Sequence, residues 1–136
     1  MSNKKIYLID ESYNASPQTM KTCVNYFIDL KTNFNQKKII ILGEMKELGD
    51  NAIDFHIDLI NYISEKNIEN VIICGKLMQI ALSKTLNKNI LCKFDSESVL
   101  NYIEKIVKDN DIVLIKGSNS SPTNDLAKKI LKKRVN

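Results

Sequence analysis

Tryptophan is absent from the 136 residues, histidine occurs once, as His56, and arginine once, as Arg134. With only four glycines and two prolines, the chain has no low-complexity segment, linker or internal repeat, and this excludes disordered and repeat architectures. The three cysteines, Cys23, Cys74 and Cys92, form no CxxC pair, and His56 is near none of them. A metal site is therefore poorly supported, and the odd count suits reduced, mostly buried thiols. No apolar run approaches the roughly 20 residues of a membrane-spanning helix. The basic start, Met1 to Lys5, leads only into a strand-length apolar run, shorter than a signal peptide requires. A cytoplasmic location is expected. No Gly-x-x-x-x-Gly-Lys-Ser/Thr segment occurs, so a phosphate-cradling loop is missing.

What the chain does contain is apolar residues, at 43%, and charged ones, at 26%. That balance and length suit one globular domain with a sizeable core. The net charge of +4 comes largely from the last helix, at Lys128, Lys129, Lys132, Lys133 and Arg134. No aromatic residues interleave with them, as a nucleic-acid surface would require. They read as a solvated face with cations suited to the negative end of the helix dipole.

Short apolar runs alternate with longer amphipathic ones. Strands are expected at Lys5–Ile9, Lys38–Leu42, Asn70–Cys74, Ile90–Phe94 and Asp111–Ile115. Their β-branched, almost continuous apolar character suits parallel strands buried on both faces. Helices are expected at Pro17–Thr32, Asp50–Lys66, Lys76–Leu86, Ser96–Lys108 and Thr123–Lys133. Ser16-Pro17 supplies a cap and a proline at the first helical position, and Asp95 or Ser96 can cap the fourth helix. Helical spacing marks Ile53, Ile57, Ile60 and Ile63 in the second helix. It marks Val99, Leu100, Ile103, Ile106 and Val107 in the fourth. Five successive βα units predict an α/β fold: a single three-layer, Rossmann-like domain with a mostly parallel sheet and helices on both faces. Strand order does not follow from the pattern.

Polar groups gather in three loops that a parallel sheet brings to one edge, where open α/β sheets hold ligands. The first follows strand one and reads Asp10-Glu11-Ser12-Tyr13-Asn14-Ala15-Ser16-Pro17, with Met20 a little further on. The second, Gly43-Glu44-Met45-Lys46-Glu47-Leu48-Gly49, follows strand two and is succeeded by His56. The last is Lys116-Gly117-Ser118 after strand five. All four glycines, Gly43, Gly49, Gly75 and Gly117, lie at strand ends or in adjoining loops, where backbone can approach a ligand or adopt positive φ.

In this order and context, the motifs resemble those of the Mur ligases of peptidoglycan synthesis. Within that family they look most like the branch that adds D-alanyl-D-alanine to UDP-N-acetylmuramoyl tripeptide. The resemblance covers nearly the whole chain, but only the C-terminal domain of the family enzyme. It implies that residues 1–136 are that domain and that the N-terminal UDP-sugar-binding and central ATP-binding domains lie elsewhere, as partners in the same or a separate chain. The family reaction joins a carboxylate to an amine with ATP and Mg2+, both held mainly by the central domain, through an acyl phosphate that the amine attacks. The C-terminal domain closes over the nucleotide, orients the amine and keeps water out. This chain alone is expected to be inactive, with no catalytic residue or metal ligand of its own, no nucleic-acid partner and no membrane insertion.

Carried over by position, the resemblance assigns nucleotide contacts to Asp10, Glu11, Tyr13 and Asn14. The acidic residue before Ser12 meets the ribose hydroxyls, and Tyr13 and Asn14 lie against the adenine. Ser16, Lys116 and Ser118 become substrate contacts. Gly43, Glu44, Glu47, Gly49 and His56 become loop-shaping residues. The chain departs from the family at three places. Glu11 replaces the usual Asp, Ser16 replaces Asn, and Asn119-Ser120-Ser121-Pro122 stands where the family commonly has Gly or Arg-Met. These departures keep a second reading in view, a non-catalytic remnant or interaction module of the same fold. A phosphoacceptor receiver domain shares the five βα units, but needs an aspartate where this chain has Cys74-Gly75.

Overall fold

In the computed structural model, residues 4–33, 35–86, 90–118 and 121–135 are described, with side chains to residue 131. Five strands, β1 (Tyr7–Glu11), β2 (Lys38–Leu42), β3 (Val71–Cys74), β4 (Leu91–Lys93) and β5 (Ile112–Lys116), alternate with five helices. The helices are α1 (Pro17–Asp29), α2 (Ala52–Ser64), α3 (Lys76–Ser83), α4 (Ser96–Ile106) and α5 (Pro122–Val135), and a 3-10 turn, Gly49–Asn51, leads into α2. The strands make one sheet in the order β1-β5-β2-β3-β4, and every pairing is parallel.

Period-two alternation along the central strands divides the core into two layers. Ile39, Ile41, Ile72, Cys74, Val113 and Ile115 pack against α4 and α5. Ile40, Leu42, Ile73 and Leu114 pack against α1, α2 and α3. The chain order accounts for this split. Helices α1 to α3 accompany steps in one direction across the sheet, and α4 accompanies the return from β4 to β5. Right-handed crossovers send the two directions to opposite faces. Loops leaving β1 and β2 therefore run to one face, while the loop leaving β5, which lies between them, runs to the other. The carboxyl ends of β1, β5 and β2 form a topological switch point, where ligands bind in open α/β sheets.

Several boundaries differ from the sequence pattern for physical reasons. β1 runs to Glu11, because the ladder with β5 pairs Asp10 with Ile115 and Glu11 with Lys116. An edge strand tolerates such polar residues, which have solvent beside them. Asp10 and Glu11 thus belong to the strand and not to the loop. Helix α1 stops at Asp29, where Leu30 turns to an extended ψ of 130°. The buried stripe of α2 is His56, Leu59, Ile60 and Ile63, rotated from the all-isoleucine stripe, so Ile53 and Ile57 are only half-buried. The expected caps formed at two helices. Ser16 and Thr19 close a reciprocal capping box on α1, and Asp95 Oδ1 accepts from the Ser98 amide at 2.8 Å. In α5, Lys129 pairs with Glu97 and Asp125 at 2.9 and 3.2 Å, while the side chains of residues 132–134 lie outside the described set.

Candidate functional site at the carboxyl edge

The first loop is built by local hydrogen bonds. Asp10 Oδ1 accepts from the Ser12 amide at 3.0 Å and from the Ser12 hydroxyl at 2.5 Å. This is an Asx-type turn that bends the chain off the strand. Ser12 is thereby buried, and Tyr13 is pushed to the surface, 61% exposed. The Glu11 carboxylate beside it raises the Tyr13 phenol above its ordinary value, since a second negative charge there is unfavourable. At the far end of the loop the Ser16 hydroxyl accepts from the Thr19 amide at 3.1 Å, so this side chain is engaged in capping α1.

The second and last loops are interlocked. The Gly43 amide donates to Lys116 O at 2.7 Å and the Ser118 amide to Glu44 O at 2.9 Å, which continues the β2–β5 contact beyond the strands. Both loop glycines face the start of α5. A Cβ on Gly117 would lie 2.1 Å from Thr123 Oγ1, and one on Gly43 would lie 2.5 Å from the same atom. Only hydrogen fits at either position. Glu44 is buried, 5% exposed. Its Oε2 accepts from the Leu77 amide at 2.6 Å and supplies the start of α3 with the acceptor that its N-cap, Gly75, lacks.

His56 stands beneath the second loop, fully buried. Its Nε2 accepts from the Met45 amide at 3.0 Å, and Nδ1 lies 2.6 Å from Ala52 O. Nδ1 therefore carries the proton in a neutral ring. Burial lowers its pKa below the ordinary histidine value, more than the Ala52 carbonyl and Glu44 raise it. With both nitrogens engaged, the ring holds the loop and has no free lone pair for a substrate proton.

Lys116 is the most unusual member. It is 4% exposed, projects on the Leu114 face, and donates to Asn14 O at 2.8 Å. A buried ammonium is costly unless it is well partnered. Beside it, Ser118 Oγ is buried without a hydrogen-bond partner among the described residues. Asn119 and Ser120 lie outside that set.

The fold thus brings Glu11, Tyr13, Asn14, Gly43, Glu44, Lys116 and Ser118 to one edge. Glu47 and Gly49 sit at the outer bend of the second loop, with φ of 62° and 66°. Both are exposed. Sequence reasoning missed Asn124, whose Nδ2 donates to Ser12 O at 3.1 Å. It also missed the buried hydroxyl pair Ser121–Thr123 at 2.5 Å. The available signal was position, since polar residues in the first turn of the helix after β5 must face the loop after β1. The three cysteines are free. Cys74 and Cys92 lie in opposite layers, and burial pushes the Cys74 thiol up to about 12. No group of three or more His, Cys, Asp or Glu is placed to hold a metal ion among the described residues. Hollows of about 510 and 570 Å³ open near the amino ends of the strands. They lie away from the polar loops and bring together none of the site residues.

Comparison with known proteins agrees with this geometry. The family profile for the Mur ligase, glutamate ligase domain, matches residues 1–119. UDP-N-acetylmuramoyl-tripeptide–D-alanyl-D-alanine ligase of Rickettsia prowazekii is 33% identical over 118 residues, covering 82% of this chain and 24% of that protein. The Bacillus subtilis enzyme of the same name is 31% identical over 133 residues, covering 91% and 28%. The chain spans about a quarter of the length of these curated relatives. The crystal structure of a MurF ligase from Thermotoga maritima in complex with ADP superposes with a TM-score of 0.74 at 25% identity, covering 98% of this chain and 30% of that one.

Proposed function

The chain belongs to the Mur ligase family through its glutamate ligase domain, and from that membership we propose that it is the substrate-positioning domain of an ATP-dependent ligase. The ligase adds D-alanyl-D-alanine to UDP-N-acetylmuramoyl tripeptide, and this chain works with the UDP-sugar-binding and ATP-binding domains of the enzyme. The observation that carries the reading is the meeting of the first, second and last loops at the switch point, around a buried lysine, in a chain that matches the family along most of its length.

Each group has work to do in that reading. Glu11 lies at the level of Lys116 and is the acceptor for the ribose hydroxyls, because Asp10 Oδ1 is already committed to Ser12. The open Tyr13 ring and the exposed Asn14 side chain offer a face and an amide to the adenine. The relative solved with ADP supports a nucleotide in this class of enzyme. Lys116 has a carbonyl partner but no carboxylate in ion-pair contact among the described residues. The carboxylate end of the amine substrate would supply that charge, and the Ser118 hydroxyl would supply a hydrogen bond. Ser16 contributes by capping α1 where the first loop ends. Mg2+ belongs with the phosphates on the central domain. Transferring the acyl group to the amine needs the two reactants held in line and shielded from water, and a domain that only orients and closes can supply this.

The test is ADP release with ATP, Mg2+, UDP-N-acetylmuramoyl tripeptide and D-alanyl-D-alanine. It is run on the chain alone and on the chain mixed with a polypeptide carrying the other two domains. Activity only in the mixture is expected, with Asn14→Ala and Lys116→Ala each lowering the rate at least tenfold. A mixture that assembles without turnover would remove the catalytic reading and leave a binding module of the same fold.

A further inference from the structure

The loop after β1 is held at two carbonyls by one neighbouring unit. Lys116, the last residue of β5, donates to Asn14 O at 2.8 Å. Asn124, in the first turn of α5, donates to Ser12 O at 3.1 Å. These two acceptors flank Tyr13, and apart from Asp10, whose Oδ1 accepts from the Ser12 amide, no other described side chain from outside the loop bonds to the backbone between Ser12 and Ala15. The same unit carries the last loop. Ser121 Oγ donates to Ser118 O at 2.8 Å and the Asn124 amide to Ser121 O at 3.2 Å. A short hydrogen-bonded path therefore runs from Ser118 through Ser121 and Asn124 to Ser12.

We infer that Asn124 is a positioning residue that, together with Lys116, makes the first and last loops a single body. Tyr13 and Asn14 are then presented in one orientation, and occupancy at Lys116 and Ser118 is felt in the first loop. The inference rests on the proposed function only for naming the ligands, because the coupling of the loops is a property of this chain. A lysine bonded to a carbonyl by one flexible arm tolerates rotation about that contact. The second clamp, on a short side chain anchored to a helix, removes that freedom. Asn124 can do this because its amide is a donor, a capacity that an aspartate at the same place loses at neutral pH.

The experiment is 15N relaxation on the isolated chain, with Asn124→Ala, Asn124→Asp and Lys116→Met beside the natural sequence, followed by ADP titration of each. In the natural chain, order parameters of Ser12 to Ala15 should lie near the rigid value of about 0.85. In both Asn124 variants they should fall below about 0.6, while β5 and the body of α5 keep theirs. ADP affinity should drop about fivefold where the natural chain binds it. Acidification below the aspartate pKa should restore order in Asn124→Asp, whose protonated carboxyl is again a donor, and leave Asn124→Ala unchanged. Unaltered loop order in Asn124→Ala and Asn124→Asp would overturn the inference. No ADP binding by the natural chain, with order still lost in the variants, would sink the nucleotide assignment and support the coupling.

Discussion

At the scale of single residues, the site depends on side chains that are engaged with their own backbone. His56 makes the case most clearly. Because burial holds its pKa below that of an unfolded histidine, the unfolded chain binds more protons than the folded one in the window between the two values. Stability from this residue is complete above the unfolded pKa of about 6.5, and is lost as pH falls from there through the folded value. Thermal midpoints should therefore decline from pH 7.5 to 5, and the decline should be shallower in His56→Gln, whose amide can accept from Met45 and donate to Ala52 without titrating. His56→Leu leaves the Met45 amide buried without a partner and should cost about 1–3 kcal/mol at neutral pH by urea titration. A pH profile identical in the natural chain and His56→Gln would show that the ring is not the titrating group. The sequence made this histidine visible by its place after the second loop. It could not show that both nitrogens were engaged, because Ala52 and Met45 offer backbone groups that no residue code records.

At the scale of elements, the strands and helices were readable because each carries a strong period. Lys38–Leu42 matches the observed β2 residue for residue, since five consecutive apolar or long side chains between polar loops admit little else. The ends were less readable. Glu11 pairs in β1 only because β5 lies beside it, and no local signal reports a neighbour more than a hundred residues away. Strand order was invisible for the same reason. The close approach of the second and last loops to α5 is another tertiary fact, carried by Gly43 and Gly117. Adding a methyl at Gly117 puts it 2.1 Å from Thr123 Oγ1 and 3.0 Å from Gly43 Cα, so α5 must tilt or the loop must open. Gly117→Ala should destabilise the domain by about 1–3 kcal/mol, the usual cost of overpacking. Thr123→Ala in the same chain should recover part of that loss, and the double-mutant cycle should show coupling of at least about 0.5 kcal/mol. Strict additivity would place the strain elsewhere.

At the scale of the whole molecule, one sheet separates two cores that share a backbone but no side chains. Ile40 and Ile41 are consecutive in β2 and both fully buried, yet Ile40 belongs to the layer under α1, α2 and α3 and Ile41 to the layer under α4 and α5. Loops from both faces meet at the carboxyl edge, so the site depends on the two layers being formed together. If they were independent, one face could melt while the other kept its loops. The parallel ladder argues against that, because β5 and β2 contribute to both layers at alternate residues, and losing one layer removes half the contacts of every central strand. Unfolding should be two-state, as for most single domains of this length. Ile40→Val and Ile41→Val should each cost about 0.5–1.5 kcal/mol, and each should lower the same single transition seen by circular dichroism and by tyrosine fluorescence. Their effects should sum to within about 0.5 kcal/mol, because the altered methyl groups lie on opposite sides of the sheet. A transition that splits in one variant, with the two probes parting, would mean that the faces melt separately. The coupled carboxyl-edge site would then exist only where both layers are folded.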